Sequence, residues 1–225
     1  MKNKRALVMF ITHENKLNWK RILIGLLVTL GLVFGGIFYF DISVFNFLRR
    51  FDCVICEYIG AIFSAKVWLL VSFIALCIFY IRKFLRTKEK GFFSNVYGRI
   101  KNSYAFMVFA SVFFASFVGI ILKFVIGRAR PVFYEALGMT GFYPFAQDWA
   151  FHSMPSGHTM ASFAGLVMIG MLVPRAKWFT WTLAIVIGLS RICIGAHWPS
   201  DVILGAFVGM IAADVVRALI SWRKE

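Results

Sequence analysis

Apolar residues in this chain come in long blocks with charged edges, without the strict alternation of strands or the three-to-four spacing of a half-buried helix. The blocks cover residues 22–40, 67–81, 104–126, 159–173, 178–194 and 202–220. A hydrocarbon core of roughly 30 Å takes about 20 helical residues per crossing. The pattern therefore predicts an all-α polytopic membrane protein, six transmembrane helices in one bundle. The second and fourth blocks are short, so each is expected to extend into its flanks, the second past Lys66, whose ammonium can snorkel outward. No linker or repeat divides the pattern, and residues 1–225 read as a single domain. The first block is too long for a signal peptide and has no small-x-small cleavage site before Asp41, so it is expected to stay attached.

Composition agrees: 60% of residues are hydrophobic and 26 are phenylalanine, against about 45–50% apolar content in a soluble domain. A net charge of +15 would in a soluble chain suggest nucleic acid, but here the basic residues lie at block edges, and no nucleic-acid partner is expected. Lys2, Lys4, Arg5, Lys16, Lys20 and Arg21 precede the first block; Arg82, Lys83, Arg86, Lys88, Lys90, Arg99 and Lys101 follow the second. Arg175 and Lys177 join the fourth and fifth, and Arg217, Arg223 and Lys224 close the chain. All four groups fall on one side of a six-span layout, which predicts both termini in the cytoplasm, with 1–21 a cytoplasmic segment. Arg49, Arg50 and Lys66 remain as ordinary outward charges.

Three short clusters then meet at the opposite, outer face: Lys123 with Arg130-Pro131, Pro155-Ser156-Gly157-His158, and Ser190-Arg191 with His197 and Asp201. Helix parity alone brings them together. They supply three cations for a phosphate dianion, two histidines and a carboxylate. His197 is the candidate nucleophile, with Asp201 four positions later orienting the ring if Pro199 and Ser200 start a helix. Taken alone, the pair reads rather as a histidine beside a helix-capping aspartate, and the companion motifs reverse that preference. Lys123, Arg130 and Arg191 are candidates to hold non-reacting phosphate oxygens, although a lysine near a helix end also snorkels. Ser156 is expected to cap the fourth helix while the Gly157 amide faces a phosphate oxygen; by itself the triplet is a turn.

These motifs, in this order, resemble the signature of the type-2 phosphatidic acid phosphatase superfamily, which also holds vanadium-dependent haloperoxidases and bacterial acid phosphatases. The layout is similar to its membrane-bound branch over nearly the whole chain. The resemblance implies a metal-free, cofactor-free phosphatase or pyrophosphatase working through a phosphohistidine. It also implies that His158 protonates the leaving oxygen and then takes a proton from water.

Residues 132–154 carry seven aromatics and few charges, an extracytoplasmic interfacial loop that either covers the site or anchors the bundle. Cys53-x2-Cys56 falls outside and is a disulfide candidate; Cys77 and Cys193 lie in separate apolar runs and read as fillers. Arg128 fits no motif position and reads as a headgroup anchor, His152 as a loop residue and His13 as a residue of the other side. Asp214 and Arg217 read as a helix-surface ion pair. Gly205 and Gly209 are compatible with close helix contact, without defining an oligomer.

The expected function is hydrolysis of a phosphomonoester or pyrophosphate on a lipid headgroup at the outer face of a bacterial inner membrane. Lipid A and undecaprenyl diphosphate rank ahead of phosphatidylglycerol phosphate and phosphatidic acid. A lipid phosphotransferase and a non-catalytic phosphate-binding transporter or scaffold are the alternatives.

Overall fold

The computed structural model describes residues 10–12, 16–86 and 103–221. Lys2, Lys4, Arg5, Lys88, Lys90, Arg99, Lys101, Arg223 and Lys224, which entered the charge reading above, lie outside them, as does His13. Among the described residues the architecture is helical: α1 (Trp19–Gly35), α2 (Asp41–Leu48), α3 (Val54–Ile62), α4 (Ala65–Arg86), α5 (Tyr104–Ile126), α6 (Pro131–Leu137), α7 (Gly157–Leu172), α8 (Lys177–Cys193) and α9 (Pro199–Ser221). Every predicted block carries helix. Four helical stretches, Trp19–Phe51, Ala65–Arg82, Tyr104–Ile126 and Pro199–Ile220, are long and apolar enough to cross a bilayer, while Gly157–Leu172 is apolar but shorter.

Local chemistry explains the ends. The Asn18 side chain accepts from the Arg21 amide at 3.1 Å to cap α1, and Ser103 caps α5 through the Phe106 amide at 3.1 Å. Pro131 and Pro199 open α6 and α9, where a missing amide hydrogen costs nothing. α5 stops at Gly127, whose φ of 60° is left-handed. A Cβ there would sit 1.8 Å from the Tyr143 carbonyl oxygen. Glycine thus lets the chain turn back and carry Arg128 and Arg130 over the end of the bundle.

The first helix does not stop at Phe40 as the apolar block suggested. α1 runs through a π-helical stretch, Gly36–Phe40, straight into α2, and Asp41 lies inside this continuous rod, 3% exposed. Widened turns of this kind are frequent at functional sites. Here it brings Asp41 against the start of α9, where Gly36 and Ser200 also touch.

α7 is the axis of the bundle, packed against α5, α8 and α9 with α4 at its side. Met160, Ala161, Ala164, Val167 and Met168 are buried along it, which accounts for a helix whose apolar residues face protein all round. By contrast Leu27, Val28 and Phe34 of α1 and Phe117 and Ile120 of α5 are exposed, a surface suited to lipid. Asp214, read from sequence as part of a surface ion pair, is buried in α9 and accepts the Phe10 amide at 2.9 Å. Its partner is backbone from the N-terminal segment, a contact that no helical spacing announces.

Candidate active site

The end of α5, the starts of α7 and α9 and the end of α8 meet at one end of the bundle, and the predicted residues meet with them. Lys123 Nζ, one turn before the end of α5, donates to the His152 carbonyl at 2.6 Å and to that of Ser153 at 3.5 Å. The place a Cβ on Gly157 would take lies 3.7 Å from Lys123 Cε. Arg130 reaches across the opening: Nη1 donates to the Ala196 carbonyl at 3.1 Å, Nη2 to that of His152 at 3.4 Å and Nε to that of Trp149 at 3.2 Å. Its guanidinium also lies 4.6 Å from the Trp149 ring centroid, a cation–π contact that fixes the plane of the fork. Burial holds the Arg130 pKa below the ordinary guanidinium value, and such a desolvated cation attracts an anion more strongly than one in water.

His197 is 2% exposed. Its amide and that of Ala196 both donate to the Arg191 carbonyl, at 3.2 and 3.0 Å, closing a tight turn from the end of α8 to α9. Pro199 does start a helix, so Asp201 sits in its first turn with Oδ2 3.5 Å from His197 Nδ1. Oδ2 also accepts the Trp198 amide at 3.0 Å and the Ser153 hydroxyl at 2.5 Å. Ser153 Oγ lies 3.5 Å from His197 Nδ1 as well. Carboxylate and hydroxyl together thus face one ring nitrogen, leaving Nε2 on the other side of the ring. Burial pushes the His197 pKa down to about 3 against the raising effect of Asp201, so the ring is neutral at ordinary pH.

Arg191 and His158 form the other wall. The Arg191 guanidinium lies against Gly60 of α3, where a Cβ would fall 1.8 Å from Nη1. Its Nε is buried without a hydrogen-bond partner among the described residues. The charges of Arg191, Lys123 and Arg130 all act on His158, and those of Lys123 and Arg130 act on His197. One pair of histidines therefore shares one set of cations.

Ser156 departs from expectation. It holds the N-cap position of α7 with extended backbone, but its side chain makes no capping bond. Thr159 Oγ1 donates to Ser156 Oγ at 2.9 Å instead, and the Ser156 amide donates to the Asp201 carbonyl at 3.0 Å. The residue is fully buried and ties α7 to α9. No helix-capping pattern distinguishes that use from a cap.

Arg128 is the larger correction. It is no headgroup anchor: 6% exposed, it donates from Nη1 to Asp201 Oδ1 and Ser200 Oγ, both at 2.7 Å, and from Nη2 to Asp41 Oδ2 at 2.7 Å. Asp41 in turn accepts the Ser200 amide at 2.9 Å and its hydroxyl at 2.5 Å. One cation thus bridges two carboxylates, the three groups coming from three parts of the chain, around the start of α9. Arg49 was likewise more than an outward charge, since it pairs with Glu135 at 2.8 Å and with Asp52, and donates to the Cys193 carbonyl at 3.1 Å.

Among the described residues no three His, Cys, Asp or Glu side chains cluster as metal ligands would. The charge complement here is instead three cations facing two imidazoles, which suits an anionic group bearing several oxygens.

The chain is similar to several known proteins. Lipid A 1-phosphatase of Rhizobium etli is 40% identical over 102 residues, 45% of this chain and 44% of that protein. Undecaprenyl-diphosphatase of Sulfolobus acidocaldarius is 30% identical over 93 residues, 41% of this chain and 43% of that one. The chain thus matches less than half the length of either curated relative. The crystal structure of Aquifex aeolicus LpxE superposes with a TM-score of 0.55 at 20% identity, over 80% of this chain and 95% of that one, a likeness of fold. The profile of the PAP2 superfamily matches residues 103–225, from the N-cap of α5 through every motif above. The chain is an integral membrane protein and belongs to the PAP2 superfamily.

Proposed function

We propose that the protein is a lipid phosphatase that removes a phosphate, or splits a diphosphate, on a membrane lipid through a phosphohistidine on His197. The observation that carries this reading is the pairing of a neutral, buried His197, held from one side by Asp201 and Ser153, with Lys123, Arg130, Arg191 and His158 around it. Nε2 attacks phosphorus, forming an N–P bond as the P–O bond to the lipid breaks. Burial and the neighbouring cations hold the His158 pKa down to about 4 without substrate, so the ring takes up a proton as the phosphate dianion binds and then gives it to the departing oxygen. Water then attacks the phosphohistidine, losing its proton to His158, and inorganic phosphate leaves. The cations and the Gly157 amide hold the three non-reacting oxygens as their charge redistributes.

Lipid A 1-phosphate and undecaprenyl diphosphate lead as substrates, in keeping with the names of the two curated relatives. We further propose six crossings of a bacterial inner membrane, with both termini in the cytoplasm and the site at the outer face, in keeping with the basic residues that edge the other end. Residues 132–154 form the interfacial cover. Their exposed Phe142, Phe145 and Trp149 suit headgroup depth, and Trp149 lies on Arg130.

The test is phosphate release from mixed micelles of each lipid, in chelator, by the parent, His197→Ala and His158→Ala. Release by the parent alone supports the reading, and equal release by all three overturns it. Label that passes from the donor to a second lipid without free phosphate would identify a phosphotransferase.

A further inference from the structure

Three cysteines gather at the edge of the site, two of them three residues apart and the third far along the chain. Cys53 occupies the N-cap position of α3 and is exposed; Cys56 lies in the first turn, its sulfur 3.2 Å from that of Cys53. Cys193, at the end of α8, is close enough to interact with the Cys56 thiol. All are free thiols. An exposed cysteine at a helix terminus fills no apolar space.

Residues three apart on a helix share a face, and bringing these two sulfurs to bond length, about 2.05 Å, takes a small side-chain movement. The thiols are also unequal. The hydrogen bond with Cys56 and the backbone amides of α3 hold the Cys53 pKa below the ordinary thiol value, while burial pushes Cys56 up to about 11. Such asymmetry suits an attacking and a resolving sulfur.

The helix that carries this pair also backs the phosphate site. α3 packs on α8, and Gly60, one turn beyond Cys56, leaves just enough room for the Arg191 guanidinium. A covalent clasp at the start of α3 would fix how that helix seats against Arg191.

We propose that Cys53 and Cys56 are a redox-active dithiol, a site of reversible disulfide formation that adjusts the hold of α3 on Arg191. The oxidant is a low-molecular-weight or protein disulfide. The Cys53 thiolate attacks one of its sulfurs, forming a mixed disulfide and expelling a thiolate, which takes up the Cys53 proton. Cys56 then attacks Cys53 Sγ, the mixed disulfide breaks, and the second thiol leaves with the Cys56 proton. Two electrons and two protons pass to the oxidant. The consequence for Arg191, but not the dithiol itself, rests on the phosphatase reading.

The experiment uses the full chain in detergent, equilibrated with mixtures of reduced and oxidised glutathione, blocked with a maleimide and weighed intact. The parent is expected to lose two alkylatable thiols together and to retain no glutathione. Cys56→Ser should retain one glutathione on Cys53, and Cys53→Ser should keep its Cys56 thiol alkylatable. Parent thiols that stay alkylatable in oxidised glutathione, or a Cys56→Ser variant that behaves like the parent, would overturn the dithiol. Phosphate release from lipid A, measured on the same samples, should show a several-fold change in KM between redox states of the parent and none in Cys53→Ser. A formed bridge with KM unchanged overturns the coupling to Arg191. Absence of release in both states would count against the phosphatase reading and leave the thiol result intact.

Discussion

Arg128 Nη1 donates to Asp201 Oδ1 at 2.7 Å, so the carboxylate that faces the His197 ring is itself held by a cation from the turn after α5. The same guanidinium holds Asp41. His197 is therefore positioned by a chain of contacts that begins in the first helix. Buried pairs of this kind contribute little net stability when complete, yet breaking one leaves a stranded charge, at a cost of about 3–5 kcal/mol.

Arg128→Ala is accordingly expected to lower the thermal midpoint in detergent sharply and to abolish phosphate release. Arg128→Lys keeps the charge but cannot bridge Asp41 and Asp201 with a planar fork, and should fall between. An Arg128→Ala protein with parental midpoint and turnover would show that the two carboxylates find other partners.

Ser153 makes a subtler contribution, since its hydroxyl donates to Asp201 Oδ2 at 2.5 Å and lies 3.5 Å from His197 Nδ1. A hydrogen bond to a charged group is worth about 1.5–3 kcal/mol, or roughly 10–100-fold if it acts fully in the transition state. Ser153→Ala should lose turnover within that range with KM little changed, because it removes ring orientation and no phosphate contact. A pure KM effect would place Ser153 against the substrate instead.

Glycine at position 60 offers a test of Arg191. Gly60→Ala puts a methyl group 1.8 Å from Nη1, so the guanidinium must shift. Losing one such contact typically costs on the order of 10²–10³ in turnover. Gly31→Ala, where nothing lies within 4 Å of the new carbon, should leave release unchanged and serves as control. Equal activity of both variants would remove Arg191 from the phosphate site.

The pH dependence of stability follows from His197. Burial lowers its pKa in the folded chain to about 3 from an ordinary 6.5, so between these values the unfolded chain binds the extra proton. The contribution to stability is complete above about 6.5 and is lost as pH falls towards 3. The midpoint of His197→Gln should therefore fall less than that of the parent between pH 7 and pH 4. By the same neutrality the free enzyme needs no deprotonation of His197 at pH 6–7. An acid limb of kcat/KM in that range that disappeared only in a His197 variant would contradict this.

Much of the site was legible because its parts lie at block edges, where helix parity decides which motifs share a face. Lys123, His158, Arg191 and Asp201 each stand within a turn or so of a helix end, and alternation of direction delivers them to one end of the bundle. What supports them was not legible. Asp41 and Asp201 are both fully buried carboxylates on helices, and a reading by hydropathy treats each as a boundary. The cation between them, 87 and 73 positions away, together with the hydroxyl and amide donors around it, offsets their burial. Ser153 and the His152 carbonyl escaped notice for another reason: backbone and hydroxyl groups in loops carry no pattern until the loop is folded. Gly60 lies in a short helix that an apolar-block reading passes over entirely.

The rod formed by α1 and α2 has a role that its exposed apolar face conceals. Every group proposed to hold phosphate falls within residues 103–225, the stretch that the superfamily profile matches, yet Asp41 closes the hydrogen-bond circuit at the start of α9 from outside it. A fragment starting at Ser103 would keep the reactive groups and lose the keystone that aligns them. On the proposed phosphatase reading, the amino-terminal rod thus helps to position His197 although it lies outside the stretch that the family profile matches.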